Sequence, residues 1–245
     1  MRVKLKPNLP PQTDAYKIFE KTNTDLNQFY WTFRCALDYT ASKIHTVPTV
    51  PELIPGNSGE RLNISSSQFL SEQPQTERIA RHSMLVLSVT AFEDYIKGAL
   101  TTFLIKNWKP EKTYHISFKP QDIPITNLQD WLKEKSIQEI VDDHLRRSYD
   151  KRYKSIEKLL IEHDATAPEL SESMQSLSII ACEARNCIVH SSSIIDPRAH
   201  TALEPIIPGF SVGDPLDITE SILWQLLGAL RDSARALDVR LRKLM

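Results

Sequence analysis

The sequence predicts an all-α fold, and three observations indicate it. Apolar residues recur at a helical period along most of the chain, only six of its 245 residues are glycine, and the prolines cluster between the periodic stretches. A hydrophobic fraction of 41% and a charged fraction of 25% are typical of a folded soluble protein. We therefore expect one all-α domain over residues 1–245, a bundle of about five main helices with a long Pro/Ser-rich loop insertion.

The N-terminal third is predicted to hold one helix and one loop. The helix begins at Asp14 and ends near Ile44, with Thr13 or Asp14 as its N-cap, so residues 1–45 form an N-terminal extension helix. Residues 46–75 contain four prolines, two glycines and many serines, a composition that predicts a flexible loop.

Residues 76–245 are predicted to form the core of the domain. A helix from about Thr76 is apolar almost all round between Met84 and Phe92, which is typical of the central helix of a bundle. A short strand fits residues 113–118, and a third helix is expected over residues 127–163 with a break near Ser148.

Two further helices complete the predicted core. The fourth is expected to begin near Pro168 and to end near Ser192, where a loop rich in proline and glycine follows. Residues 217–220, Asp-Ile-Thr-Glu, have the pattern of a capping box for a last helix that continues to about Lys243.

Composition excludes several classes of protein. A net charge of -1 excludes a globally basic nucleic-acid binder. Three cysteines, an odd number without framework spacing, do not indicate a disulfide scaffold. The sequence has neither a signal-peptide pattern nor an apolar run of about 20 residues. We therefore expect a cytoplasmic protein without a membrane partner.

Six residues near the end of the fourth helix combine side chains suited to phosphodiester chemistry: Arg185-Asn186-Cys187-Ile188-Val189-His190. On a helix, Asn186 and His190 lie one turn and about 40° apart, with Arg185 beside them. A histidine exchanges protons near neutral pH, and a guanidinium stabilises charge on phosphoryl oxygens. Arg185, His190 and Asn186 are therefore the predicted catalytic residues, and a role limited to the helix dipole is the alternative.

One copy of this motif does not surround a phosphate, because Arg185 and His190 are about 140° apart on the helix. If the fourth helix packed antiparallel against its copy, a twofold axis would bring two of each residue to one cleft. We therefore expect a homodimer.

The motif resembles that of the HEPN superfamily, whose members include metal-independent endoribonucleases. The run from Leu85 to Lys97 is similar to a helix of the RiboL-PSP type of HEPN protein, in which an acidic residue and a lysine follow an apolar stretch; here these are Glu93 and Lys97. The resemblance implies RNA cleavage by attack of the 2'-hydroxyl, in a toxin or antiviral-defence effector held in check by an antitoxin or regulatory partner. A non-catalytic HEPN-like nucleotide-binding or assembly module in a defence system is the alternative.

Other residues are assigned supporting roles. Glu93 follows a long uncharged run, so we expect it to be partly buried and paired, with Arg185 as a candidate partner. Glu183 is a candidate partner for a cation across the dimer, and a solvated or salt-bridged carboxylate is the alternative. A basic cluster is a weaker candidate for binding RNA, with a solvated helix face as the alternative: Arg146, Arg147, Lys151 and Arg152. No metal site or cofactor is predicted, because no second histidine lies at ligand spacing from His144 and the sequence has no glycine-rich phosphate loop.

Overall fold

Nine α-helices account for most of the chain that the computed structural model describes, namely residues 11–108, 126–162 and 172–244. Over these residues there is no β-strand, and the predicted all-α fold is confirmed. The helices are α1 (Asp14–Lys43), α2 (Val50–Leu53), α3 (Asn57–Arg61), α4 (Ser66–Lys106), α5 (Leu128–Arg146), α6 (Tyr149–Ile161), α7 (Glu172–His190), α8 (Pro197–Leu203) and α9 (Glu220–Leu244). None of the described helices is long and apolar enough to cross a membrane.

The bounds of α1 agree with the prediction, and Thr13 is its N-cap. The Tyr16 amide donates to Thr13 Oγ1 over 3.2 Å and the Lys17 amide donates to the Thr13 carbonyl over 3.0 Å. Asp14 lies in the first turn and forms an ion pair of 2.8 Å with Lys17. The predicted break near Ser148 is also confirmed, because α5 ends at Arg146 and α6 begins at Tyr149.

The prediction of a flexible loop at residues 46–75 is wrong. A 3-10 turn (Ile44–Thr46), α2 and α3 occupy this segment, and α4 begins at Ser66 with Pro74 inside it. Amide-to-carbonyl hydrogen bonds from Val50 to Ile64 and from Ser66 to Pro48, of 3.0 and 2.9 Å, tie its two ends together. Val50 is also buried, so long-range packing overrides the loop-like composition.

Two predictions near the C-terminus need correction. The loop after α7 contains α8, which Asp196 caps by accepting the Ala199 amide over 2.8 Å. The N-cap of α9 is Thr219, whose hydroxyl accepts the Ile222 amide over 3.3 Å. The predicted capping box is therefore wrong, because the N-cap lies two residues beyond Asp217 and the helix begins at Glu220. The predicted strand at 113–118 and the predicted start of the fourth helix at Pro168 lie outside the described residues.

The chain divides into two compact units. Unit 1 comprises Met1–Glu20, Val89–Glu183 and Leu226–Met245, and unit 2 comprises Lys21–Ser88 and Ala184–Gln225. The boundaries fall inside α1, α4, α7 and α9, so each of these helices contributes residues to both units.

Unit 1 has an aromatic core. The rings of Tyr16, Phe19, Phe92 and Tyr95 lie 5.4 to 6.2 Å apart between centroids, in tilted and edge-to-face arrangements. The Tyr95 hydroxyl donates to the Ala234 carbonyl over 2.9 Å, which joins α4 to α9.

Beside this core, Asp238 is fully buried and links the start of α1 to α9. The Thr13 hydroxyl donates to Asp238 Oδ1 over 2.6 Å, and Arg242 Nε lies 2.9 Å from Asp238 Oδ2. The buried carboxylate is thus both hydrogen-bonded and paired with a cation.

Unit 2 has a core of its own. Leu37, Ile44, Val50 and Phe69 form a buried apolar cluster that joins α1 to the segment before α4 and to α4 itself. Unit 2 also contains ion pairs: Arg34 lies 2.8 Å from Glu77 and Arg81 lies 3.3 Å from Asp217. These contacts fix α1, α4 and the segment before α9 within this unit.

We expect Arg242→Met to lower the free energy of unfolding by about 3 kcal/mol, because the buried Asp238 would lose the cation that it is paired with. The control is Arg231→Met, which removes an exposed arginine 3.6 Å from the exposed Asp232 and is expected to cost about 0.5 kcal/mol or less. Urea unfolding of both variants measures the difference. Equal losses would contradict a structural role for the buried pair.

Candidate active site

The motif Arg185–His190 occupies the last two turns of α7, in unit 2. Ala184 and Cys187 are fully buried, which agrees with the predicted apolar arc of the helix. Arg185 and Asn186 are partly buried, and His190 is exposed at the C-terminal end. The helix therefore holds its apolar side chains in the core while the imidazole reaches solvent.

Arg185 and Asn186 contact each other directly. Arg185 Nη1 donates to Asn186 Oδ1 over 3.0 Å. This hydrogen bond orients one edge of the guanidinium, a planar group whose N–H donors match the geometry of a phosphate. The interpretation of Asn186 as a supporting polar residue is consistent with this contact, which assigns its carbonyl oxygen to Arg185.

A serine turn closes the helix immediately after His190. The amides of Ser191 and Ser193 both donate to the Cys187 carbonyl over 3.1 Å. Ser192 and Ser193 have φ values of 53° and 64°, in the left-handed region. Non-glycine residues there cost on the order of 1–3 kcal/mol each, so the surrounding contacts must hold the turn.

Three contacts do hold it. Ser191 Oγ donates to Asp196 Oδ2 over 3.0 Å, and the Leu216 amide donates to the Ser193 carbonyl over 2.7 Å. Ser193 Oγ lies 3.3 Å from Nδ1 of His82, in α4. Hydrogen bonds from the Ala199 amide and then from Ser191 lower the pKa of Asp196, although slight burial opposes them. The Asp196 carboxylate therefore stays charged at neutral pH and keeps its hydrogen bonds from Ser191 and from the Ala199 amide.

Cys187 has a structural role, as its position on the apolar arc indicated. Its Sγ donates to the Ile194 carbonyl over 3.2 Å. Burial raises the pKa of the Cys187 thiol to about 11, and the nearby Asp196 acts in the same direction. The thiol is thus neutral at physiological pH and unsuited to nucleophilic attack.

The sequence did not indicate that His82 belongs to the site. It is buried, and the only sequence signal for it is a histidine just before the apolar run of α4. Burial lowers its pKa, and the charges of Arg78 and Arg81 lower it further, while Asp217 and the Leu216 backbone oppose them. We therefore expect a neutral imidazole at pH 7.

Apolar side chains are exposed next to His190. Val189 is 50% exposed and Ile194 is 43% exposed, although both are large hydrophobic residues.

The predicted supporting residues Glu93 and Lys97 lie in unit 1. Glu93 is partly buried and paired, as expected: Tyr149 Oη and Arg152 Nη1 each donate to its Oε1 over 2.9 Å. Lys97 Nζ is 4.0 Å from Asp142 Oδ1 and half exposed.

Glu183, also in unit 1, is buried in α7. Burial at this position favours a structural carboxylate over one that faces a second copy, and the role across a dimer stays a prediction.

The basic cluster is divided between the surface and the interior. Arg152 is buried and donates to Glu93, an arrangement that favours a structural role over contact with RNA. Arg147 pairs with Asp143, and Arg146 lies 4.0 Å from Asp142, while Lys151 is exposed.

No group of three or more potential metal ligands is present among the described residues. His144 instead contacts Ser155, with 2.9 Å between Nδ1 and Oγ.

No protein-family model matches the chain, and neither a curated protein nor a solved structure shows significant similarity to it. Any assignment of function therefore depends on the residues themselves.

We expect the free energy of unfolding to fall as the pH decreases below 6.5, the ordinary pKa of histidine. Burial lowers the pKa of both His82 and His144 in the folded state, so the unfolded chain binds these protons first. Stability should thus be greatest above pH 6.5 and should be lost as the pH approaches the lowered values.

Urea unfolding between about pH 8 and pH 5 measures this dependence. The double variant His82→Asn/His144→Asn lacks both groups and should lose less stability over the same range. An equal loss in the wild type and the double variant would contradict the prediction.

Proposed function

We propose that this chain is a metal-independent endoribonuclease whose catalytic residues are Arg185, Asn186 and His190. The observation that supports it best is the arrangement at the end of α7, where an exposed imidazole stands within two turns of a guanidinium oriented by an amide. The resemblance of the segment to the RNxxxH motif of HEPN ribonucleases leads to the same activity.

The reaction needs only groups that the motif supplies. The 2'-oxygen of RNA attacks the adjacent phosphorus, and the bond from phosphorus to the 5'-oxygen breaks. The 2'-hydroxyl loses its proton to a base and the 5'-oxygen gains one from an acid, roles that a solvent-accessible imidazole can take. Arg185 would stabilise the charge on the phosphoryl oxygens. The products are a 2',3'-cyclic phosphate and a 5'-hydroxyl.

The proposed active form is a homodimer. One His190 serves either as the base or as the acid in a single turnover, so a second copy would supply the missing group. The exposed Val189 and Ile194 flank His190 and give this end of α7 an apolar surface that a twofold-related copy can bury. Arg185 of each copy would then approach the same cleft.

A biological role follows from the activity. An RNase that requires no metal is toxic to its host unless it is restrained. We therefore propose a toxin or antiviral-defence effector that an antitoxin or regulatory protein controls.

A non-catalytic assembly or nucleotide-binding module is the alternative. The observation in its favour is an apolar groove in unit 2, where Phe29 of α1 and Ile79 and Leu87 of α4 are 65%, 55% and 47% exposed. A groove of this kind suits a protein partner and does not require the chemistry of His190.

We expect the purified protein to cleave RNA in the presence of EDTA, and His190→Ala and Arg185→Ala each to lower the rate by at least about 100-fold. His190 is exposed, so its replacement should leave the melting temperature unchanged. The control is His45→Ala, which removes another exposed histidine and should cleave like the wild type. Equal rates in the wild type and the His190 variant would overturn the proposal, and complete loss of cleavage with EDTA would exclude the metal-independent reaction.

We also expect Val189→Glu to produce a monomer with little cleavage activity, because a buried charge opposes association at this surface. Val212→Glu is the control, since Val212 is 54% exposed but is not part of the motif helix. Sedimentation velocity at micromolar concentration measures the oligomeric state. An active wild-type monomer would contradict the shared cleft.

A further inference from the structure

His82 of α4 is joined to the turn that follows the motif. Its Nδ1 lies 3.3 Å from Ser193 Oγ, and the Ser193 amide in turn donates to the Cys187 carbonyl over 3.1 Å. His82, Cys187 and Ser193 all belong to unit 2. A buried imidazole is therefore connected through one serine to the last turn of the helix that ends at His190.

We propose that His82 is a positioning residue for His190. Its hydrogen bond to Ser193 fixes the turn at residues 191–193 and so determines where the imidazole of His190 lies. The effect on catalysis rests on the proposed function. The hydrogen bond and the turn do not depend on any activity.

The choice of residue at position 193 supports this role. With φ at 64°, position 193 would suit glycine better than serine. Serine nevertheless supplies the hydroxyl that reaches His82. Ser192 has a similar φ of 53° but is exposed, and the structure gives no hydrogen bond from its side chain. The two serines thus share backbone geometry and differ in their contact with α4.

The surroundings of His82 favour a neutral ring that pairs with a hydroxyl. Arg78 and Arg81 face it from its own helix, while Asp217 and the Leu216 backbone face it from the segment before α9. Burial and the two arginines disfavour a proton on the ring. A neutral imidazole accepts a hydrogen bond from Ser193 Oγ or donates one to it without placing a charge in the interior.

Two pairs of variants separate positioning from stability. Ser193→Gly removes the hydroxyl and relieves the backbone, while Ser192→Gly relieves the backbone alone. His82→Leu removes the polar ring, while His82→Asn keeps a polar atom near the position of Nδ1. A merely structural role predicts that activity follows the melting temperature across the four variants.

The first measurement needs no activity. Amide hydrogen exchange at Ile194 and Leu216, whose N–H groups donate to Ser191 and Ser193, reports on the turn. We expect protection factors to fall about tenfold in Ser193→Gly and His82→Leu and to stay near the wild-type value in Ser192→Gly and His82→Asn. Unchanged protection in His82→Leu would overturn the proposal.

The second measurement is RNA cleavage in EDTA. We expect kcat to fall at least tenfold in Ser193→Gly and His82→Leu with KM nearly unchanged, although Ser193→Gly should be no less stable than the wild type. His82→Asn should restore most of the rate. If wild-type protein does not cleave RNA, the proposed function fails while hydrogen exchange still decides whether His82 fixes the turn. Equal kcat values in Ser192→Gly and Ser193→Gly would contradict the positioning role.

Discussion

The carbonyl of Cys187 is the group on which the candidate site depends. It accepts the amides of both Ser191 and Ser193, and this arrangement requires two consecutive residues with positive φ. The helix therefore ends directly after His190, and the imidazole stands at an exposed helix terminus rather than in the middle of a packed face. Contacts from Asp196, Leu216 and His82 supply the stabilisation that the left-handed serines lack.

The last two turns of α7 carry both core residues and candidate catalytic residues. The Cys187 side chain is buried and its thiol bonds the Ile194 carbonyl, so the inner face of α7 is fixed in the core. Arg185 and Asn186, which precede Cys187, are only partly buried, and the hydrogen bond between them restricts the guanidinium of Arg185. Groups that must act on a phosphate within a fraction of an ångström benefit from a rigid helix of this kind. Val189, beside them, is exposed.

Local signals predicted much of this structure. The N-cap of α1 and the break at Ser148 were recognisable from neighbouring residues, and helical spacing correctly separated Cys187 from His190. The segment at 46–75 was not predictable in this way, because its order depends on bonds such as that from Val50 to Ile64. Asp196 before Pro197 was a local signal for α8 that the proline-rich composition concealed. The contact of His82 with Ser193 joins residues 111 positions apart, which no spacing rule detects.

We propose that this chain cleaves RNA by attack of the 2'-hydroxyl without a metal. Mass spectrometry of the ends of a short RNA, after incubation with the wild-type protein in EDTA, tests this proposal. We expect fragments that carry a 2',3'-cyclic phosphate and a 5'-hydroxyl, and their absence when His190 is replaced by alanine. Intact RNA, or fragments that carry a 5'-phosphate and a 3'-hydroxyl, would contradict it.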